Sequence, residues 1–321
     1  MSWLLDTRNA SIRYLTMTQL LHRRLNDPEV QSARAQIPKS RWAKLVFSGM
    51  QDASFWESPI TCYNPKYSAT VWRLQLLAQL GMPAEDRRIK NACERFLEQH
   101  VHRDGGFSCG SRKHRTRYSE ECITGRMVAT LCSFGYQNDS RVRDAIEWLA
   151  NHQLDDGGWN CRHSPTTSHS SIYSTQMALW GYSALDPNLR GEYRNVIKRG
   201  TEFMLRHRLF KSHHTGKIIR KDWLELKFPG NVGYDILHAL LVLLRLGVRR
   251  DERLSDAHDV LCQKRRKDGR WNLDVVPRHW GSGGPSDCYL QLEREGRPSR
   301  WITLNALTVL SQLGLQSCNY R

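Results

Sequence analysis

The sequence predicts an all-α fold assembled from about five to six stacked helix pairs, and three observations carry that prediction. A short phrase recurs along the chain, each copy stands between an amphipathic stretch and a continuously apolar one, and no linker separates the copies. The fullest copy is Gln153-Leu-Asp-Asp-Gly-Gly-Trp159. Weaker copies run from Gln99 to Asp104-Gly-Gly-Phe107 and from Gln263 to Asp268-Gly-Arg-Trp271, with a worn one at Gln51-Asp-Ala-Ser-Phe-Trp56. Phe107 and Trp159 lie 52 residues apart, Phe55 precedes Phe107 by another 52, and Trp271 follows Trp159 by 112. The last interval is close to two periods, so a further unit is expected near Ser212. Units of this size are too small to bury their own apolar faces and must stack.

In chain order, the turns fall near 51–56, 99–107, 153–159, 206–216 and 263–271. The stretches before them, such as Ile89 to His100 and Val142 to His152, carry apolar residues at helical spacing. The runs after them, such as Ile123 to Tyr136 and Ile172 to Leu185, are apolar almost throughout and read as inner helices. Within each phrase, glycine supplies positive φ, aspartate caps its own backbone, and the aromatic plugs the seam between units. The turn aromatics therefore read as structural.

At 321 residues and 40% hydrophobic, with no Ser/Gly/Pro-rich divider, residues 1–321 read as one domain. No 18-residue apolar run exists, and Met1-Ser-Trp-Leu-Leu-Asp turns polar too quickly for a signal peptide, so a soluble cytoplasmic protein is expected. Nine cysteines, an odd and scattered set, argue against disulfides and leave buried thiols or metal ligands as readings. The net charge of +16, clustered at Lys211 to Lys221, Arg245 to Arg253 and Lys264 to Arg270, suits an anionic partner: a diphosphate, a nucleic acid or an anionic membrane surface. A merely soluble basic surface explains it equally well.

Aligning the units on the residues that end the apolar runs, Gly81, Gly135, Gly247 and Gly314, places Ser68, Cys122, Tyr234 and Trp301 at one equivalent position, with Ser171 as a looser match. In a closed ring these positions converge at one end of a central cavity, where chemistry is expected. From about Ala10 onward, the turn phrases and helix pairs resemble the repeats of the squalene-cyclase and protein-prenyltransferase β-subunit superfamily. That resemblance implies an α/α toroid. It says little about the reaction.

In protein prenyltransferases an Asp-x-Cys pair and a His from the next unit hold zinc, and the resemblance points to Glu120-Glu121-Cys122 and His169 here, with Glu in place of Asp at 120. Cys109 and Cys161 stand two residues beyond Phe107 and Trp159 and complicate the set. Cys109, Cys122, Cys161 and His169 would make a closed structural zinc site, whereas Glu120 in place of one thiol would leave an open, activating position. The opposing reading is that the thiols are core residues and His169 a locally bonded helix-entry residue.

The segment Arg206-His-Arg-Leu-Phe-Lys-Ser-His-His214 replaces the usual turn and resembles that of bacterial toroid proteins of uncertain activity. Arg206, Arg208, Lys211, His213 and His214 would bind the diphosphate of a prenyl donor if they faced the cavity mouth, and would otherwise form a solvated loop face. Asp235 opens an inner helix; in an apolar cavity its carboxyl would have a raised pKa suited to a general acid, with N-capping as the plain alternative. Tyr234 and Trp301 suggest aromatic walls able to stabilise a carbocation, or simply core.

A proton-initiated cyclase of this superfamily would show Asp-x-Asp-Asp, and an ionisation-type cyclase Asp-Asp-x-x-Asp; neither is present. Triterpene cyclases need a second barrel that 321 residues do not accommodate, and prenyltransferases need a separate α subunit, so a protein partner is one expectation. The leading reading is a prenyltransferase- or cyclase-like enzyme acting on an isoprenoid or other apolar anionic substrate, with zinc at Cys122, His169 and Glu120 or Cys161. Arg206, Arg208 and Lys211 would hold the diphosphate, and Asp235 would move the proton. A second reading is a non-catalytic, zinc-stapled toroid that binds protein or nucleic acid through its basic face. A third, a carbohydrate enzyme, needs two carboxylates facing one cavity, and only Asp235 and Glu120 present themselves.

Overall fold

In the computed structural model, the described residues are 1–108, 118–161, 168–230, 233–276 and 290–314. Among them the chain forms α1 (Ala10–Leu15), α2 (Pro28–Gln36), α3 (Arg41–Phe47), α4 (Thr70–Gln79), α5 (Arg87–His100), α6 (Glu121–Ser133) and α7 (Ser140–Asn151). It continues with α8 (Ile172–Ser183), α9 (Pro187–Glu192), α10 (Arg194–Arg206), α11 (Ile236–Arg245), α12 (Ser255–Gln263) and α13 (Arg300–Leu313). A hairpin of β1 (Met50–Gln51) and β2 (Phe55–Trp56) is the two-stranded sheet.

The helices sort into two rings. The helices α4, α6, α8, α11 and α13 are buried on nearly every side, as their apolar runs require, and neighbours in this order pack side by side. The short α1 and the π-turn Thr16–Leu20 pack against α13, while Tyr14 reaches Gly81 just beyond α4, which closes the ring. Outside lie α5, α7, α10 and α12, each burying one stripe, such as Ile89, Cys93, Phe96 and Leu97 on α5 or Val142, Ile146 and Leu149 on α7. This is the expected α/α toroid.

Each unit is pinned by a bond set that repeats. The backbone N–H of the turn aromatic donates to an inner-helix threonine: Trp56 to Thr70, Phe107 to Thr124 and Trp159 to Thr175, all at 3.0 Å, and Trp271 to Thr303 at 3.1 Å. The indole Nε1 of Trp56, Trp159 and Trp271 donates to the carbonyl ten residues earlier, on the preceding helix α3, α7 or α12, at 2.7–2.8 Å. One tryptophan thus ties turn, outer helix and inner helix together. Asp104 and Asp156 accept from the N–H groups of Gly106 and Gly158 two residues on, and Gly105, Gly157 and Gly269 sit at φ of 96°, 97° and 78°.

The bond pattern corrects the sequence register in three places. The first turn aromatic is Trp56, not Phe55, because β1 and β2 tighten that turn by one residue. In the unit around Ser212 the chain makes a longer excursion, bridged at Lys211 and Ile218, before entering α11. Counting from the N-caps Glu120, Ser171, Asp235 and Ser299, the residues equivalent to Cys122 and Trp301 are Tyr173 and Leu237. Tyr234 is therefore displaced from the position assigned by Gly247, since α11 is only 10 residues long, and Ser171, the looser match, is the cap of α8 and not the equivalent residue. Cys262 is disulfide-bonded, which corrects the expectation of none; odd count and scattered spacing carry no information about proximity in space.

The tightest seam is α6 against α8. A methyl added at Gly125 would stand 2.7 Å from the Ala178 Cα, and one at Gly181 would stand 2.9 Å from the Gly125 carbonyl oxygen. Backbone meets backbone there, which only glycine permits.

Candidate active site

The ring encloses a cavity of about 320 Å³. Its walls come from the inner helices and from the segment that leads into α11, with Phe228, Asp235, His238 and Trp301 toward the helix N-termini. Gln79, Ser133, Ser183 and Arg245, the last residues of α4, α6, α8 and α11, stand toward the other end.

Asp235 is the acid of this cavity. It is 1% exposed and caps α11, its Oδ1 accepting from the His238 N–H at 3.0 Å, while Oδ2 is buried with no hydrogen-bond partner. Both sequence readings, cap and acid, hold at once, one for each oxygen. Burial pushes its pKa from 3.8 up to about 7, against the opposing pull of the capped N–H groups and of Lys227. A carboxyl in this setting is poised near neutrality between acid and base.

The surroundings are aromatic, with Lys227 and Arg245 as the basic lining residues. Trp301 lies flat on Phe228, with ring centroids 4.2 Å apart and planes 5° apart, and its Nε1 has no partner. The rings of Trp180 and His238 meet nearly at right angles, with centroids 5.0 Å apart. Burial, aided by Arg245 and Arg126, holds the His238 imidazole down to about 3, so the ring is neutral. Its Nδ1 faces the Gln176 amide at 2.8 Å, which donates to it. Lys227, His238 and Arg245 line the cavity without having been expected there from the sequence, and Gln176 holds His238 from behind. Arg245 had a signal, a lone cation closing an apolar run, but read as the start of a surface basic cluster.

The other predicted residues lie elsewhere. Tyr234 is 3% exposed, its hydroxyl donates to the Leu209 carbonyl at 2.6 Å, and its ring packs on Trp223, so it fastens the entry to α11 and does not line the cavity. Glu120 precedes α6 without capping it through its side chain. Arg208 and Lys211 share Asp256 Oδ2 at 3.1 and 2.8 Å, and Arg206 donates to the Asp156 carbonyl. All three are thus occupied on the outer side of the barrel. An acid forty-odd residues downstream could not be matched to them by sequence spacing. His213 and His214 lie with ring centroids 3.7 Å apart and planes tilted by 41°, beside His207, and together with His169 they line a separate surface depression.

Of the zinc candidates, the structure brings together Cys122 and Cys161, the Cys122 N–H donating to the Cys161 sulfur at 3.1 Å. The Cys161 thiol is pushed well up by its hydrogen bond with Cys122 and by burial, and Glu121, buried beside it, is raised to about 9, chiefly by burial. His169 is exposed and turns to the other depression. Cys109 lies outside the described residues. Among the described residues no group of three or more His, Cys, Asp or Glu side chains is arranged to hold a metal ion. No helix among them is long and apolar enough to cross a membrane.

Residues 108–298 match the family described as squalene-hopene cyclase C-terminal domain. No curated protein matches the chain. Among solved structures, the chain is similar to a protein from Actinoplanes, with 16% identity, a TM-score of 0.47 and coverage of 97% of this chain and 90% of that one. It is also similar to the type II terpene cyclase MstE from Scytonema, at 15% identity and a TM-score of 0.45, covering 98% of each chain. A family 76 glycoside hydrolase from a bovine Bacteroides thetaiotaomicron strain, at 12% identity, gives a TM-score of 0.52 over 95% of this chain and 67% of that one. That last likeness is one of fold, and Asp235 is the one carboxylate lining the central cavity among the described residues, without the second that a glycosidase pair requires. With more than half of its 321 residues matched, and with the repeated turns and closed helix ring in place, the chain belongs to the squalene-hopene cyclase C-terminal domain family.

Proposed function

We propose that the protein is a terpene-cyclase-like enzyme that binds an isoprenoid in its central cavity and transfers a proton at Asp235. The observation that carries this reading is the Asp235 carboxyl, buried in the cavity with Oδ2 unpartnered and its pKa near neutrality. Family membership supports the substrate class. In its neutral form, Oδ2 gives its proton to an alkene carbon, the π electrons form the new C–H bond, and a carbocation develops on the neighbouring carbon. The faces of Trp301 and Phe228 stabilise that cation, and a second double bond can attack it to close a ring. Loss of an adjacent proton to the Asp235 carboxylate forms the product alkene and restores the acid, so the cycle balances without a further reactant. Asp235 lies outside any Asp-x-Asp-Asp motif, so the acid is supplied from a different point of the ring than the superfamily pattern implies.

The test is turnover of farnesyl and geranylgeranyl substrates in D2O by wild type and Asp235→Asn, with products identified by mass spectrometry. Expected are deuterium in the wild-type product, a rate that falls as pH rises through about 7, and a loss of roughly 10²- to 10⁴-fold in the variant. An Asp235→Asn protein of undiminished activity removes the carboxyl from the chemistry.

A further inference from the structure

The cavity has a second polar end that the proton transfer does not use. Arg245 is the last residue of α11 and lines the cavity with Gln79, the last residue of α4. Side chains on a helix lean toward its N-terminus, which carries the guanidinium back into the barrel. No described carboxylate pairs with it; burial alone displaces its pKa, downward. Arg245 is an exposed residue at the end of α11, and its side chain lines this cavity. Gln79 Nε2 is likewise buried without a partner, whereas the hydroxyls of Ser133 and Ser183 donate to their own helices. Both donor groups therefore lack a protein acceptor among the described residues.

Charge points the same way. Among the described lining residues, Lys227 and Arg245 are the basic ones and Asp235 is the one acid, neutral below about 7; Lys227 donates to the Asp222 carbonyl at 2.7 Å and lies 3.7 Å from the Glu225 carboxylate, which leaves Arg245 as the cation with no described counter-charge. The interior is thus electropositive, and a low-dielectric wall strengthens that field. One structural role competes: the C-termini of α4, α6, α8 and α11 gather at this end, and a cation there complements their dipoles.

We propose that Arg245, with the Gln79 amide, is the headgroup site for an anionic isoprenoid, a carboxylate or a phosphate ester, whose chain runs along α11 to Asp235. The isoprenoid part rests on the function proposed above. Ten residues separate Asp235 from Arg245, a span of up to about 15 Å at the helical rise, or roughly twelve carbon–carbon bonds. The path between passes Trp180, Leu241, Leu237 and Phe228, which suits hydrocarbon. The anion site therefore lies inside the ring, and not at the outer cluster of Arg206, Arg208 and Lys211.

Calorimetric titration of wild type, Arg245→Gln and Arg245→Lys with farnesyl diphosphate, farnesoic acid, farnesol and inorganic diphosphate tests this, with melting temperatures recorded alongside. The proposal expects at least one farnesyl anion to bind more tightly than farnesol, and Arg245→Gln to lose roughly 10- to 100-fold of that advantage while Arg245→Lys keeps part of it. The anion with the larger loss identifies the headgroup. Arg245→Gln that lowers the melting temperature but leaves the anion preference intact would make Arg245 a dipole complement and overturn the proposal. Binding of farnesol and farnesyl anions alike, with no dependence on Arg245, overturns the headgroup site while sparing the isoprenoid reading. Arg245-dependent binding of inorganic diphosphate without any farnesyl compound supports the anion site and sinks the isoprenoid reading instead.

Discussion

Replacing Asp235 by asparagine should stabilise the protein at alkaline pH. Asparagine caps a helix as well as aspartate does, so the bond from the His238 N–H to Oδ1 survives, and the two side chains have the same shape. What changes is the charge that must be buried when the carboxyl ionises. A pKa displaced from 3.8 to about 7 corresponds, at 1.36 kcal/mol per unit, to a ceiling of about 4 kcal/mol. The folded state holds the proton more tightly than the unfolded chain does, so this contribution costs nothing at pH 3, where both states are protonated. Stability is lost as pH rises from about 4 to about 7, and the full loss is present at pH 8. Urea unfolding of wild type and variant at pH 4 and pH 8 should show near-equal stabilities at the lower pH and a variant more stable by about 2–4 kcal/mol at the higher. Taking the difference cancels other titrating groups, including Glu121. A variant that is less stable than wild type at pH 8 would refute the assignment of a desolvated, unpaired carboxyl.

Trp301→Phe should change stability by less than about 1.5 kcal/mol in urea unfolding, because the indole N–H bonds to nothing, yet slow turnover by up to roughly tenfold because phenylalanine is a weaker cation–π partner. Thr175→Val should cost about 1–3 kcal/mol by the same assay, since it leaves the buried Trp159 N–H without its acceptor while preserving volume. Gly125→Ala should destabilise by about 1–3 kcal/mol, as the new methyl would press on the α8 backbone; a neutral effect there would contradict the close seam of α6 and α8.

The fold was legible because the repeat encodes it locally. Each Asp-Gly-Gly-aromatic phrase specifies a turn through glycine φ and an aspartate cap, and each apolar run is too hydrophobic to lie outside. What escaped was whatever the repeat does not constrain: the tightening that puts Trp56 in register, and the shortness of α11 that displaces Tyr234. The threonines that bond the turn aromatics and the Asp-x-Arg caps at Asp86, Asp139 and Asp251 recur as regularly as the turn phrase does. The site was half legible. Asp235 and Trp301 follow from their places at the starts of inner helices, and both line the cavity. Arg206, Arg208 and Lys211 form a basic cluster in the sequence, but Asp256 and the Asp156 carbonyl, distant in sequence, occupy them. Equal spacing of His169 and Cys122 likewise says nothing of side-chain direction, and His169 turns outward.

The most direct test of the central claim is an infrared titration of the Asp235 carboxyl, read as the difference between wild type and Asp235→Asn across pH 4 to 9. A protonated carboxyl band absent from the variant and titrating with a midpoint near 7 is the predicted result. A midpoint near 4, the ordinary carboxylate range, would mean a solvated or paired Asp235 and contradict the account.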